Sequence, residues 1–181
     1  EGVIFNMAGF GQVVPHALPT KIEGGPTVPV APLPLYALLK LVAKADILIE
    51  GLRPGVTERM GVGPDACHAV NPGLIYCAVS GYGRDGPMGD KPGFDLIAQG
   101  FSGLMSVTGE PGRPPAKTGN SIADINAGLL AVTGITAAYV HKLKTGEGQV
   151  VDTSLIEAAI QQTYWQAAIY FATGESPGPT G

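Results

Sequence analysis

The chain has 181 residues, 45% of them apolar and 14% charged, with a net charge of −4. That is enough apolar material for a core and too much for a disordered chain. Its few cations are scattered, which argues against a nucleic-acid partner, because phosphate neutralisation needs clustered Lys and Arg.

The 27 Gly and 16 Pro do not suit a plain helical bundle and predict many turns. Cys67 and Cys77 lack metal-ligand spacing and read as buried thiols of a reducing, cytoplasmic compartment. His16, His68 and His141 have no mutual spacing suited to a metal, so no metal is expected. No continuous apolar run reaches the roughly 18 residues of a bilayer span, and no signal-peptide core is seen, so no membrane role is expected. A first residue of Glu and a last stretch of turn residues are what a partial chain is expected to show.

Residues 1–34 are the least legible. Gly9-Phe-Gly11 is too short for a dinucleotide fingerprint, which needs a third Gly between strand and helix. Five prolines from Pro15 to Pro32 predict an extended or irregular segment. From Leu35 the pattern changes. Leu35, Leu38, Leu39 and Val42 recur at helical spacing, leaving Lys40 and Lys44 for the outer face. Asp46 to Glu50 reads as a short buried strand, and Gly51-Leu-Arg-Pro-Gly55 as the turn that leaves it. Val56 to Gly61 predicts one or two helical turns. Gly63-Pro64 opens a short helix to Val70, and Asn71-Pro-Gly73 stops it. Leu74 to Ser80 is a second strand. This alternation predicts an α/β fold with a parallel sheet and helices on its faces. Ligands of such sheets bind beyond the carboxyl ends of the strands, where Glu50–Arg53 and Ser80–Gly83 stand.

Phe94 to Phe101 predicts a short helix, Ser102 to Gly109 fits either helix or strand, and Glu110 to Pro115 is a loop. The longest helix runs from Ser121 to about Leu143. Ile122, Ile125, Leu129, Val132, Ile135 and Tyr139 form its broad apolar face, with Gly128 and Gly134 as positions of close packing. Ser121 is its N-cap candidate, and Asp124 falls in the first turn. Gln149 to Thr153 is a third strand, and Ser154 to about Thr173 a second long helix ended by Gly174 and Pro177.

Asp124 is the residue around which chemistry can be built. It reads either as a first-turn carboxylate favoured by the helix dipole or as a nucleophile. A carboxylate can attack a thioester carbonyl, and the mixed anhydride so formed is open to a thiolate. Such a group needs a partly dry site with backbone N–H donors. Gly81, Gly83, Gly86 and Gly119 either allow close backbone approach there or are ordinary turns. Asp95 either starts a helix or orients the site and exchanges a proton. Arg53, Arg59, Arg84 and Lys91 are solvated charges or phosphate contacts. No Ser has a nucleophile-elbow context.

Seven segments occur in a fixed order: Asp46-Ile-Leu-Ile-Glu-Gly-Leu-Arg-Pro-Gly55, Asn71-Pro-Gly-Leu-Ile-Tyr76, Ser80-Gly-Tyr-Gly-Arg-Asp-Gly-Pro87, Pro92-Gly-Phe-Asp-Leu-Ile-Ala-Gln99, Ser102-Gly-Leu-Met-Ser-Val-Thr-Gly-Glu110, Ile122-Ala-Asp124 and Lys144-Thr-Gly-Glu-Gly-Gln-Val-Val-Asp152. In these the chain resembles the class III CoA-transferases, the group that includes formyl-CoA transferase, carnitine CoA-transferase and α-methylacyl-CoA racemase. The resemblance implies a Rossmann-like large domain of an interlocked homodimer, here incomplete, over residues 35–181, with residues 1–34 divergent. It implies transfer of CoA from an acyl-CoA donor to a free carboxylic acid through an aspartyl intermediate at Asp124. The CoA thioester is then a substrate, and no prosthetic group is expected. Asp95, Gly81, Gly83 and Gly86 become supporting residues, and Gly51, Leu52, Arg53, Arg59, Tyr82 and Lys91 become CoA contacts.

Racemases of the family carry a His just before the Asp of the Gly-x-Asp segment. Here that position is Phe94, which cannot move a proton. At Gly51-Leu52 transferases commonly have Asn-Phe. A racemase branch and a non-catalytic CoA-binding or dimerisation module are the alternative readings.

Overall fold

The structure is a computed structural model that describes residues 4–6, 18–21, 27–30 and 33–179. The Gly9-Phe-Gly11 segment and His16 lie outside these residues. The chain forms two compact units, the first ending at Ala78 and completed by Ile135–Val151, the second made of Val79–Gly134 and the chain from Asp152 on.

In chain order, β1 (Ile4–Asn6) comes first, and β2 (Leu18–Lys21) and β3 (Thr27–Val30) form an antiparallel pair. Then come α1 (Leu33–Val42), β4 (Ile47–Glu50), α2 (Val56–Arg59), α3 (Pro64–Val70) and β5 (Ile75–Ser80). After these follow α4 (Asp95–Phe101), a single 3-10 turn at Leu104–Val107, α5 (Ile122–Thr145), β6 (Val150–Ser154), α6 (Leu155–Gln161) and α7 (Tyr164–Thr173). The main sheet has the order β1-β4-β5-β6. β4 runs parallel to β1 and to β5, with Ile47 opposite Ile75 and Glu50 opposite Ala78. The α/β alternation and parallel pairing expected from the sequence are therefore present.

The core of the first unit is Leu48, Val62, Cys67, Leu74 and Tyr76, all fully buried, with Val42, Ala45, Met60 and Ala78 around them. Burial pushes the Cys67 thiol up to about 11, and its Sγ donates to the Val62 carbonyl at 3.2 Å. This is an inert, packed thiol, and Cys77 is buried on β5. The Asn71 stop has a visible mechanism. Its Nδ2 donates to the carbonyls of Val42 and Ala45, at 3.0 and 2.8 Å, and its Oδ1 accepts from Gly73 N–H at 3.1 Å. One side chain thus binds two carbonyls at the end of α1 and shapes the turn into β5. Lys142, in the last turn of α5, reaches Asp46 at 2.7 Å, just ahead of β4.

Three expectations are corrected. First, the large apolar side chains of α5 are not its buried face. Ala123, Ala127, Ala131 and Ala138 are buried, whereas Ile125, Leu129, Val132, Tyr139 and Leu143 are exposed. At 100° per residue the alanines cluster roughly 150° from the bulky stripe, so the helix has two apolar faces and the chain buries the small one. A Cβ at Gly128 would meet nothing within 4 Å, so close packing does not explain that glycine among the described residues. Second, α5 is long and apolar enough to cross a membrane by length and composition. Gly128, Thr133 and Gly134 interrupt a continuous apolar run without making the helix polar. Its alanine stripe is nonetheless buried against this chain. Third, the second long helix breaks at Gln162–Thr163. Gln162 and Thr163 bond to carbonyls three residues back, and Thr163 Oγ1 donates to the Ile160 carbonyl at 2.8 Å. Back-bonding of this kind bends helices.

Candidate active site

The second unit holds two carboxylates with contrasting environments. Asp95 is the first residue of α4, with extended Phe94 before it. Both of its oxygens are occupied. Oδ1 accepts from the Ala123 N–H at 2.8 Å, and Oδ2 accepts from Gln99 Nε2 at 2.6 Å. Ala123 is in the first turn of α5, where backbone donors have no partner within the helix. Asp95 therefore caps α5 from another element. Ser121 stands at the N-cap position by sequence, and its carbonyl accepts the Ile125 N–H at 3.0 Å.

Asp124 is the next residue after Ala123. Its carboxylate is exposed, and among the described residues no hydrogen bond or ion pair holds it. Partial desolvation, and secondarily the Asp95 charge, raise it above the ordinary carboxylate range. The expectation that the helix end would favour the ionised form is thus corrected in direction. The first-turn amide of Ala123 is already taken by Asp95, and that partner carries the same charge.

Gln99, the last residue of the Pro92–Gln99 segment and without a role assigned from the sequence, joins the two segments. It is 0% exposed. Its Oε1 accepts from Thr118 N–H at 2.9 Å, and its Nε2 donates to Asp95 and, at 3.4 Å, to the Asn120 carbonyl. Thr118 Oγ1 donates to that same carbonyl at 2.8 Å. The signal was present in the sequence: Asp95 and Gln99 are four apart, the spacing that puts two side chains on one helix face. α4 and α6 pack together around Ala98, Ala123 and Ala159 beneath this network.

The glycine-rich arm lies in the same unit. A Cβ at Gly81 would stand 2.7 Å from Gly93 Cα, and one at Gly93 would stand 2.7 Å from Gly81 Cα. The two backbones touch only because neither residue has a side chain, and this contact ties the arm to the segment entering Asp95. At Gly86 and Gly119 the space is open, so close approach is not their reason. Gly83 N–H donates to Ser80 Oγ at 2.9 Å, and Arg84 N–H donates to Asp152 Oδ2 at 3.2 Å. Asp152, unassigned by the sequence, therefore anchors the arm. Burial raises its carboxyl most, Arg84 lowers it, and Glu157 and Asp85 raise it further. Tyr82 meets Phe101 edge-on at 6.0 Å between ring centres. Lys91 pairs with its neighbour Asp90 at 3.4 Å, an exposed pair that fixes little. We expect Gly81→Ala to cost about 2 kcal/mol by overpacking and to lower activity further, read from urea midpoints beside turnover.

Gly51, Leu52, Arg53 and Arg59 belong to the first unit. Leu52 N–H donates to the buried Glu50 carboxylate at 2.7 Å, which shapes the turn after β4. Arg53 and Arg59 are exposed, and Arg59 reaches back beside Gly55. A groove of about 570 Å³ is lined by Asn126, Leu129, Leu130, Thr133, Gln161, Gln162 and Tyr164 and does not include Asp124.

The sequence profile of CoA-transferase family III matches residues 35–181. The chain is 38% identical over 138 residues to a succinate–glutarate CoA-transferase of Agrobacterium fabrum, covering 76% of this chain and 34% of that protein. It is 46% identical over 124 residues to the alpha subunit of a succinyl-CoA–L-malate CoA-transferase of Chloroflexus aurantiacus, covering 68% of this chain and 29% of that one. A crystal structure of a CaiB/BaiF family protein from Brucella suis superposes with a TM-score of 0.79 at 38% identity, covering 81% of this chain and 39% of the other. The chain thus spans about a third of the length of the curated relatives it matches. With a profile match over most of its residues and the ordered segments around Asp95 and Asp124 in place, the chain belongs to CoA-transferase family III.

Proposed function

We propose that this chain carries the nucleophile of an acyl-CoA transferase, and that the nucleophile is Asp124. One observation carries the choice between the two carboxylates. Asp95 has both oxygens committed to hydrogen bonds, while Asp124 is open and made more basic by its surroundings. A more basic carboxylate is the stronger nucleophile. Relatives are named for transfer of CoA between small carboxylic acids, which supports an acid as acceptor here.

In this reading an Asp124 oxygen attacks the thioester carbonyl of the donor. The C–S bond breaks, CoA leaves as thiolate, and an acyl-aspartyl anhydride remains. The thiolate attacks the Asp124 carbonyl of the anhydride, which releases the donor acid as carboxylate and leaves an aspartyl-CoA thioester. The acceptor carboxylate then attacks that thioester, the C–S bond breaks to give a second anhydride and free CoA thiolate, and the thiolate attacks the acceptor carbonyl, which forms the new acyl-CoA and frees the Asp124 carboxylate. Gly51, Leu52, Arg53 and Arg59 are the CoA contacts proposed in the first unit, and Tyr82 and Lys91 those in the second. Asp95, Gly81, Gly83 and Gly86 support Asp124. Phe94 offers no proton carrier, which favours transfer over racemisation. Leu129, Val132, Tyr164, Trp165 and Phe171 are each at least 60% exposed, an apolar surface that supports a homodimer.

The test is chemical. Incubation with acyl-CoA followed by hydroxylamine converts an aspartyl thioester to a hydroxamate, located by mass spectrometry. Modification at Asp124 is expected, and modification elsewhere, or none with the fold intact, would overturn the assignment. The pH profile gives a second check. Asp124 acts deprotonated, so activity falls as pH drops through its raised value. Asp95→Asn removes the neighbouring charge, lowers that value and moves the acid limb to lower pH. A limb that stays in place would show that the two carboxylates are not coupled.

A further inference from the structure

The geometry points to Gln99 as the positioning residue that sets the approach of Asp124, by holding Asp95 and the Lys117–Asn120 segment on one buried amide. This rests on the reading of Asp124 as nucleophile and goes beyond it, because Gln99 is fully buried and would act through the groups it holds.

The argument starts from the amide itself. A carboxamide presents an acceptor on one side and two N–H donors on the other. Here the acceptor meets a backbone N–H, that of Thr118, and the donors meet two oxygens, the Asp95 carboxylate and the Asn120 carbonyl. Reversing the amide would set oxygen against carboxylate and N–H against N–H, so one orientation satisfies every partner. Both things it holds bear on where Asp124 lies. Residues 117–120 lead into α5 through Gly119, where a Cβ would meet nothing, so the segment's own packing does not fix that residue. Asp95 in turn holds the amide of Ala123, the residue immediately before Asp124. Loosening Gln99 frees the approach segment and the cap together. Misplacement of a reacting group by about 1 Å costs roughly 100-fold in rate.

The experiment uses the full chain, the hydroxylamine reaction with an acyl-CoA donor, and steady-state turnover. Gln99→Ala is expected to lower kcat and the rate of Asp124 hydroxamate formation about 100-fold, with the KM for acyl-CoA held within about threefold. Gln99→Glu is the isosteric variant. Its carboxylate opposes both Asp95 and the Asn120 carbonyl, whereas its protonated form donates to Asp95 and accepts from Thr118 as the amide does. Its activity relative to the unmodified chain is therefore expected to rise as pH is lowered from about 8 to about 6, against the trend set by Asp124. Unchanged kcat in Gln99→Ala overturns the inference. If that variant instead loses its fold, Gln99→Glu decides: a relative activity that rises on acidification supports positioning, and a profile parallel to the unmodified chain overturns it. Absence of hydroxamate in the unmodified chain would be a different failure, that of Asp124 as nucleophile, and the role of Gln99 would fall with it.

Discussion

Asp124→Asn is expected to reduce turnover by about 10⁴-fold or more, the scale seen when a covalent nucleophile is removed. The hydroxamate at position 124 should disappear with it. An amide of the same shape retains the space but cannot form the anhydride. The fold should survive. Asp124 is exposed and no hydrogen bond or ion pair holds its carboxylate among the described residues. Losing a first-turn negative charge costs about 0.3–1 kcal/mol, and loss of the repulsion from Asp95 acts in the other direction. Thermal unfolding of the variant should therefore track the unmodified chain closely while activity is lost. Retention of more than a hundredth of the activity would mean that another group forms the covalent bond. Loss of activity together with loss of the unfolding transition would mean that Asp124 serves the fold.

The largest effect on stability is expected at Gly148, in the first unit. A Cβ there would overlap the carbonyl of Leu74, which is fully buried at the entry to β5. The glycine N–H also donates to the Pro72 carbonyl at 2.8 Å, so the backbone is held on that side as well. Its φ lies outside the left-handed region, so an alanine is conformationally acceptable and the whole penalty is steric. We expect Gly148→Ala to lose about 3 kcal/mol, at the upper end of overpacking costs. Gly146 is the control. It has a φ of 79° and open space around it, so Gly146→Ala carries only the backbone penalty of roughly 1–2 kcal/mol. Denaturant midpoints for the two variants should separate in that order. Equal losses would show that the approach to Leu74 relaxes freely.

Much of the fold could be read directly. The helix of Leu35–Val42, the strands at Asp46–Glu50 and Leu74–Ser80, and the Asn71-Pro-Gly73 stop all appeared close to where they were expected. The misreadings share a cause. The stripe of Ile125, Leu129 and Val132 is apolar and correctly spaced, but spacing says only that a face exists. Which face is buried depends on what lies opposite, and here a stripe of alanines lets α5 approach closely. The break at Gln162–Thr163 depends on a threonine hydroxyl turning back to Ile160, a choice no pattern of apolar residues records.

The candidate site divides the same way. The sequence by itself determined the α/β alternation, the family and the identity of Asp124 and Asp95 as the carboxylates to consider, because periodicity, turn chemistry and ordered motifs are local properties of the chain. Only the tertiary structure separated their surroundings. Asp95 spans 28 residues to the Ala123 amide, and Gln99 spans 19 to Thr118. Those bonds commit Asp95 to holding α5 and leave Asp124 open. They depend on how α4 lies against the start of α5, a matter of packing between elements that no single stretch of sequence contains.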